Sequence, residues 1–346
     1  YGSYRKPREL LWIFGVLIYH CLMAEAFAGY LLPWGQMSFW GAQVILSLFS
    51  AIPIVGGDLT TWIRGDYVIA DATLNRMFAF HVIAIPLALI GLVAAHILAL
   101  HEVGSNNPDG VEIKQHKDAN GIPLDGIPFH PYYTVKDIVG VVVFLFLFFT
   151  VVFFMPEMGG YFLEYNNFIP ADALKTPPHI APVWYFTPYY SILRAITEDF
   201  MLVLAIGVAA YSILIWLTAR QPLVKMAALG IGFVVIVLMK GGPLALEAKV
   251  WGVAMMGAAT LIFFLLPWLD RSPVKSIRYK GPLFRTALTI FVIVFIVLGY
   301  YGTQTVTPAG TLISQLGTLI YFAFFLLMPW YSVMDKTKPV PDRVTM

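Results

Sequence analysis

The sequence predicts an all-α fold: a polytopic transmembrane helical bundle of about eight spans with long surface loops. Three observations predict it. Of 346 residues, 59% are hydrophobic and only 12% are charged, about half the charge of an ordinary soluble domain. The mean hydropathy is +0.76. Apolar runs long enough to cross a bilayer, about 20 residues, recur along the chain. A water-soluble globule of this length has no core large enough for so much apolar surface. A soluble enzyme, a disordered chain and a nucleic-acid-binding module are thereby excluded. The net charge of +2 implies no strongly charged partner, and the single cysteine, Cys21, excludes a disulfide framework and a Cys-rich metal site.

The apolar windows place spans at 10–32, 76–100, 137–155, 200–218, 224–239, 250–268, 286–301 and 316–333. The fifth is short and rich in Gly and β-branched residues. Pro33, Pro156, Pro267 and Pro329 fall at or near span ends, where proline does little harm. Three connections are long. Residues 34–75 contain the amphipathic run Val44–Phe49, suited to the membrane surface. Residues 101–136 are polar, and residues 156–199 are rich in aromatics and prolines. With eight spans, sixteen Lys and Arg fall on the side of the N-terminus and six on the other. This asymmetry predicts a cytoplasmic N-terminus. Lys240 and Lys249 flank Glu247, which predicts a self-paired short outer loop. The opening residues, Tyr1 to Lys6, include no Met and no signal peptide. They predict a start within a longer gene product.

Polar residues inside spans are functional candidates by default. His81 and His96 share the second span. Fifteen residues of helix give about 22 Å of rise and about 60° of rotation. Both imidazoles can face one side, one near each membrane surface, too far apart for a shared metal ion. Two readings stand. One is a pair of histidines bonded to neighbouring helices. The other is a ligand to each of two stacked cofactors, since neutral imidazole suits haem iron. Gly15 and Gly29, fourteen apart in the first span, admit either another helix or a flat group close to the backbone. Histidines and glycines together favour two flat macrocycles held between helices.

The runs that follow are longer and more specific. Gly29–Gly41 (GYLLPWGQMSFWG), Leu48–Pro53 (LFSAIP), His101–Pro108 (HEVGSNNP) and Phe129–Asp137 (FHPYYTVKD) resemble cytochrome b of the quinol–cytochrome c oxidoreductases. Pro182-Val183-Trp184-Tyr185 resembles a variant of that family's Pro-Glu-Trp-Tyr signature. The resemblance covers nearly the whole chain and is closest to the respiratory, proteobacterial type. It implies a subunit that oxidises quinol on the periplasmic side and passes electrons through two b-type haems to quinone on the cytoplasmic side, coupled to proton translocation. His81 and His96 would be ligands of the low- and high-potential haems, Gly15 and Gly29 the haem-packing glycines, and Arg76 a propionate partner. Tyr30, Pro182, Trp184 and Tyr185 match the quinol-oxidising site. His101, Ser105, Lys136 and Asp137 match the quinone-reducing site. The implied partners are an iron–sulfur (Rieske-type) protein and a c-type cytochrome, in a homodimeric complex of the bacterial inner membrane.

The resemblance divides the chain into four parts. Residues 1–155 correspond to the C-terminal part of the haem-binding domain plus the following span. Residues 156–199 form the quinol-oxidation loop, 200–248 an inserted hairpin of two spans, and 249–346 the C-terminal helices. The family's other two haem ligands would lie on a helix upstream of Tyr1. Val183 stands where the signature has its glutamate, and valine accepts no proton. Glu25, near Gly29 and Tyr30, is the expected replacement, and Glu164 is the second candidate. His20 matches no family ligand and reads as a packed helix histidine, His116 as a solvated loop residue, His130 as structural, and His179 as structural or a contact for a partner subunit. The competing readings are a secondary transporter, which would show inverted repeats that are not apparent here, a different dihaem quinone-reactive membrane anchor, which would lack the Pro-Val-Trp-Tyr loop, and a truncated, haem-deficient fragment.

Overall fold

The structure, a computed structural model, describes residues 1–160 and 163–345. Among these, eight helical segments are long and apolar enough to cross a membrane. In chain order, α1 (Glu9–Leu31) is followed by two short helices, α2 (Gln36–Phe49) and α3 (Gly56–Arg64). The second span joins α4 (Asp71–Ala79), a π-helical turn (Phe80–Ala84) and α5 (Ile85–Val103). Then come α6 (Tyr132–Phe154), the short α7 (Thr187–Ala195), and a hairpin of α8 (Phe200–Thr218) and α9 (Pro222–Lys240). The C-terminal part is α10 (Ala248–Leu261), α11 (Leu266–Leu269), α12 (Pro282–Thr303), α13 (Pro308–Leu326) and α14 (Met328–Met334). No strand forms among the described residues. In lipid a helix satisfies its backbone groups within one segment, which an open strand cannot do.

One span departs from its expected limits and another changes its helical geometry, both for local reasons. The last was expected at 316–333 but runs Pro308–Leu326. Thr307 Oγ1 accepts from the Gly310 N–H at 3.1 Å, and Pro308 sits at the first helical position. This polar cap starts the helix well before its most apolar stretch. The sixth span tightens to a 3₁₀ turn at Ile262–Leu265. Pro267 has no N–H for the Phe263 carbonyl, and the Trp12 Nε1–H donates to that carbonyl instead, at 2.7 Å.

Contacts between loops sort the connections to two ends of the bundle. At the N-terminal end, Tyr4 donates to Asp270 Oδ2 (2.6 Å), Arg8 pairs with Glu112 (2.9 Å), and Thr345 donates to Asp109. At the other end, Asn167 holds residue 38, His179 Nε2 meets the Thr303 carbonyl (2.8 Å), and Arg194 donates to the Gln304 carbonyl (2.9 Å). These groupings agree with the alternation that the Lys and Arg count assumed.

The interior has two principal apolar centres. Ala28, Leu31, Phe39, Ala42, Leu46 and Met77 join α1, α2 and α4. Ile192, Ala259, Leu298, Tyr321 and Phe325 join α7, α10, α12 and α13, with the Tyr321 hydroxyl donating to the Ala259 carbonyl at 2.7 Å. A third, smaller centre joins α8 to the foot of α9. The outer loop after α9 is not self-paired through Glu247. Lys240 Nζ donates to the Glu198 carbonyl at 2.8 Å, and the Glu198 carboxylate accepts from the Ala248 N–H at 3.1 Å. Glu198 wins because it lies at the exposed start of α10, where a free N–H needs an acceptor.

Candidate functional site

The second span supplies the centre of the site. Pro86 cannot donate to the Val82 carbonyl, and the helix widens to a π turn at Phe80–Ala84, with His81 inside it. A π turn absorbs one residue, about 100° of phase. The 15-residue histidine spacing is thereby reconciled with the 14-residue glycine spacing of α1. The two helices run antiparallel, and each histidine meets a glycine. A Cβ on Gly29 would stand 2.5 Å from His81 Cε1, and one on Gly15 would stand 3.4 Å from His96 Cε1. The glycines let both imidazoles lie against the α1 backbone, one near each end of the bundle. Sequence reasoning missed the π turn, although Pro86 was its signal.

The two imidazoles differ in their partners. His81 Nδ1 lies 3.2 Å from the Glu25 carbonyl and 3.0 Å from Glu25 Oε1. His96 Nδ1 is buried and has no hydrogen-bond partner. An uncommitted buried ring nitrogen is costly unless something else takes it. The donor chemistry and the glycine clefts fit a haem ligand at each position, one imidazole apiece. No group of three or more metal-binding side chains occurs among the described residues. Arg76 is folded onto α3, its Nη1 donating to the Trp62 carbonyl and its guanidinium resting on Gly65.

Beside α1 lies an almost wholly apolar cavity of about 510 Å³. Phe27, Val44, Ile45, Pro182, Phe186 and Met256 are among its walls. Of the expected quinol-oxidising residues, only Pro182 lines it. Tyr30 stands behind the lining residue Gly41, with Cε1 3.7 Å from where a Cβ would be. Its hydroxyl donates to Glu164 Oε2 at 2.9 Å. Tyr185 is in the same group: burial pushes its hydroxyl pKa up, and the charge of Glu164 adds to the shift. Trp184 packs edge-on against Tyr185 and is exposed. Glu25 does not line the cavity. Its carboxylate is turned to His81, so the acid beside Tyr30 is Glu164.

The sequence run Trp34-Gly35-Gln36 has a local explanation. A side chain on Gly35 would strike the Asn167 backbone. The Ser38 N–H donates to Asn167 Oδ1 (2.8 Å), the Gln36 N–H to the Ile169 carbonyl (2.8 Å), and the Ala171 N–H to the Trp34 carbonyl (3.1 Å). These bonds clamp the 163–172 loop over the end of α1 and carry Glu164 to Tyr30.

The residues expected at the opposite end are not brought together. His101 is exposed at the end of α5. Ser105 contributes its carbonyl to Arg8 (3.1 Å). Lys136 Nζ lies 5.8 Å from the Tyr133 ring centroid. Among the described residues no hydrogen bond or ion pair joins Lys136 or Asp137 to His101 or Ser105. The physical reason is that α6 has no buried residue, so no buried side chain of its own fixes its rotation.

The fold and these paired positions define a class: a polytopic helical membrane protein that presents two glycine-backed imidazoles, one toward each membrane face, beside an apolar pocket. The chain belongs to the cytochrome b family. Residues 1–162 match the family described as cytochrome b (N-terminal)/b6/petB. Residues 170–246 and 236–322 match cytochrome b (C-terminal)/b6/petD. A cytochrome b of Allochromatium vinosum is 55% identical over 100% of this chain and 73% of its own length. One of Rhodospirillum rubrum is 41% identical over 100% of this chain and 70% of its own. A chain of a solved structure described as a hyperthermophilic respiratory Complex III is similar with a TM-score of 0.74 and 34% identity. The match covers 96% of this chain and 72% of that one.

Proposed function

We propose that the chain is the cytochrome b subunit of a respiratory quinol–cytochrome c reductase in a bacterial inner membrane. It oxidises quinol at the periplasmic end and reduces quinone at the cytoplasmic end, coupled to proton translocation. The reading is carried by the two histidine–glycine pairs, His81 with Gly29 and His96 with Gly15, placed one toward each face. Two b-type haems, when bound to these histidines, would supply one-electron transfer between the two quinone sites.

The chain's own residues do the rest. The apolar cavity walled by Pro182 and Phe186 takes the quinol ring out of water. Of the two protons that quinol oxidation releases, one passes through the Tyr30 hydroxyl to the Glu164 carboxylate behind the pocket wall, which replaces the acid that Val183 lacks, and the other leaves to the periplasmic water. At the cytoplasmic end His101 and Asp137, with Lys136 and Ser105, would supply protons once the polar end of α6 meets the end of α5. Both α5 and α6 have faces free for further helices or lipid, and α6 must rotate its polar end to His101. We read residues 200–248 as an inserted hairpin, which fits α9 packing mainly on α8. An iron–sulfur (Rieske-type) protein and a c-type cytochrome complete the enzyme, which we expect to be dimeric.

The test is the reduced-minus-oxidised visible spectrum of the natural membrane-bound protein, together with quinol-dependent cytochrome c reduction. Two b-type haem signals and that activity are expected. A protein carrying no haem overturns the assignment.

A further inference from the structure

Glu25 is a carboxylate inside a span, and the proton chemistry at Tyr30 does not use it. Such a group is expensive in a membrane without a partner. Its Oε1 lies 3.0 Å from His81 Nδ1, while the Glu25 carbonyl lies 3.2 Å from the same nitrogen. Its Oε2 is buried without a partner. The carboxylate's one contact is with His81 Nδ1; with the proton on that nitrogen, Nε2 would be the atom that binds a metal. The geometry repeats on one side only: His96 has no carboxylate and its Nδ1 is unpartnered.

We propose that Glu25 is a positioning residue that fixes the tautomer of His81 and lowers the reduction potential of the haem bound there. The inference rests on the proposed haem ligation by His81 and goes beyond it. A carboxylate on the far nitrogen of an imidazole ligand makes the ring a stronger electron donor. A stronger donor favours the ferric over the ferrous state. The carboxylate's negative charge near the iron acts in the same direction, and the apolar surroundings strengthen both effects. His96, lacking this partner, would leave its haem at the higher potential. Two histidines on one helix thus acquire a difference in potential from a single residue of the neighbouring helix. The order matches the direction of electron flow from the periplasmic to the cytoplasmic end.

The test is a spectroscopic redox titration of the membrane-bound complex carrying Glu25→Gln or Glu25→Ala. The expected result is an upward shift of the lower-potential haem by at least about tenfold in its one-electron equilibrium, or about 59 mV, with the other haem unmoved. Unchanged potentials in both variants overturn the proposal, as does an equal shift of both haems. Loss of the lower-potential haem in both variants overturns it too, because the carboxylate would then serve retention rather than potential. If the unaltered protein holds no haem, the failure lies with the ligation assignment itself.

Discussion

The Tyr30 hydroxyl donates to Glu164 Oε2 at 2.9 Å across 134 residues of chain. Tyr30 comes from the end of α1, and Glu164 comes from a loop clamped onto that end by Asn167 and Ile169. The pair puts an ionisable acid behind the pocket wall at Gly41, near the run that reads Pro-Val-Trp-Tyr. Replacing Glu164 by Gln should slow quinol oxidation by about 10²-fold, the lower end of what a positioned acid or base contributes. Val183→Glu in the same background should recover part of the rate. Steady-state quinol–cytochrome c reductase activity checks both. Full activity of Glu164→Gln would remove Glu164 from the proton path.

The glycines should not be equally sensitive. Gly29→Ala places a methyl group 2.5 Å from His81 Cε1, whereas Gly15→Ala places one 3.4 Å from His96. The first is a collision with a ring that the proposed ligation would hold in place, and the second is a contact that a small shift relieves. Gly29→Ala should diminish one b-type haem signal in the reduced-minus-oxidised spectrum, and Gly15→Ala should retain both. Equal loss in the two variants would contradict this.

Lys280 and Asp270 form a buried ion pair at 2.5 Å, with side chains 2% and 0% exposed. Tyr4 donates to the same Asp270 oxygen at 2.6 Å, and the Lys280 ammonium lies 3.4 Å from the Phe284 ring centroid. Breaking such a pair leaves a buried charge uncompensated and costs about 3–5 kcal/mol, whereas replacing both partners by apolar residues costs far less. Lys280→Met or Asp270→Leu alone should lower the melting temperature of the detergent-solubilised protein markedly. The double variant should recover most of the loss.

Asp109 is buried between Tyr279, Arg278 and Thr345. The Tyr279 hydroxyl bond, followed by the Thr345 N–H, holds its carboxyl down at about 2. The folded-state pKa is depressed, so the contribution is fully present above the ordinary aspartate range. It is lost as pH falls toward about 2. Asp109→Asn should therefore be less stable than the unaltered protein at neutral pH. The gap between their thermal transitions should narrow on acidification. A gap that is constant from pH 7 to pH 3 would refute the assignment.

Much of the bundle was legible in the chain itself. Seven of the eight spans begin and end within a few residues of the apolar windows, because a helix in lipid must be apolar over a fixed length wherever it packs. The last span was misplaced because its start is set by a polar cap, Thr307, that hydropathy does not weigh. The histidine and glycine spacings were also readable, since helical rise and rotation are local properties. Which side chain meets which was not. Glu25 was expected at the oxidising pocket from its distance along α1, but its carboxylate turns to His81, on the neighbouring helix. Glu164 reaches Tyr30 only because backbone bonds fold a distant loop over the end of α1. The grouping of His101 with Lys136 and Asp137, read from sequence motifs, depends on the rotation of a helix that has no buried side chain to fix it. Hydrophobicity and helical periodicity are written residue by residue and determine the spans. The pairing of buried charges depends on distances between helices, and only the folded bundle sets those.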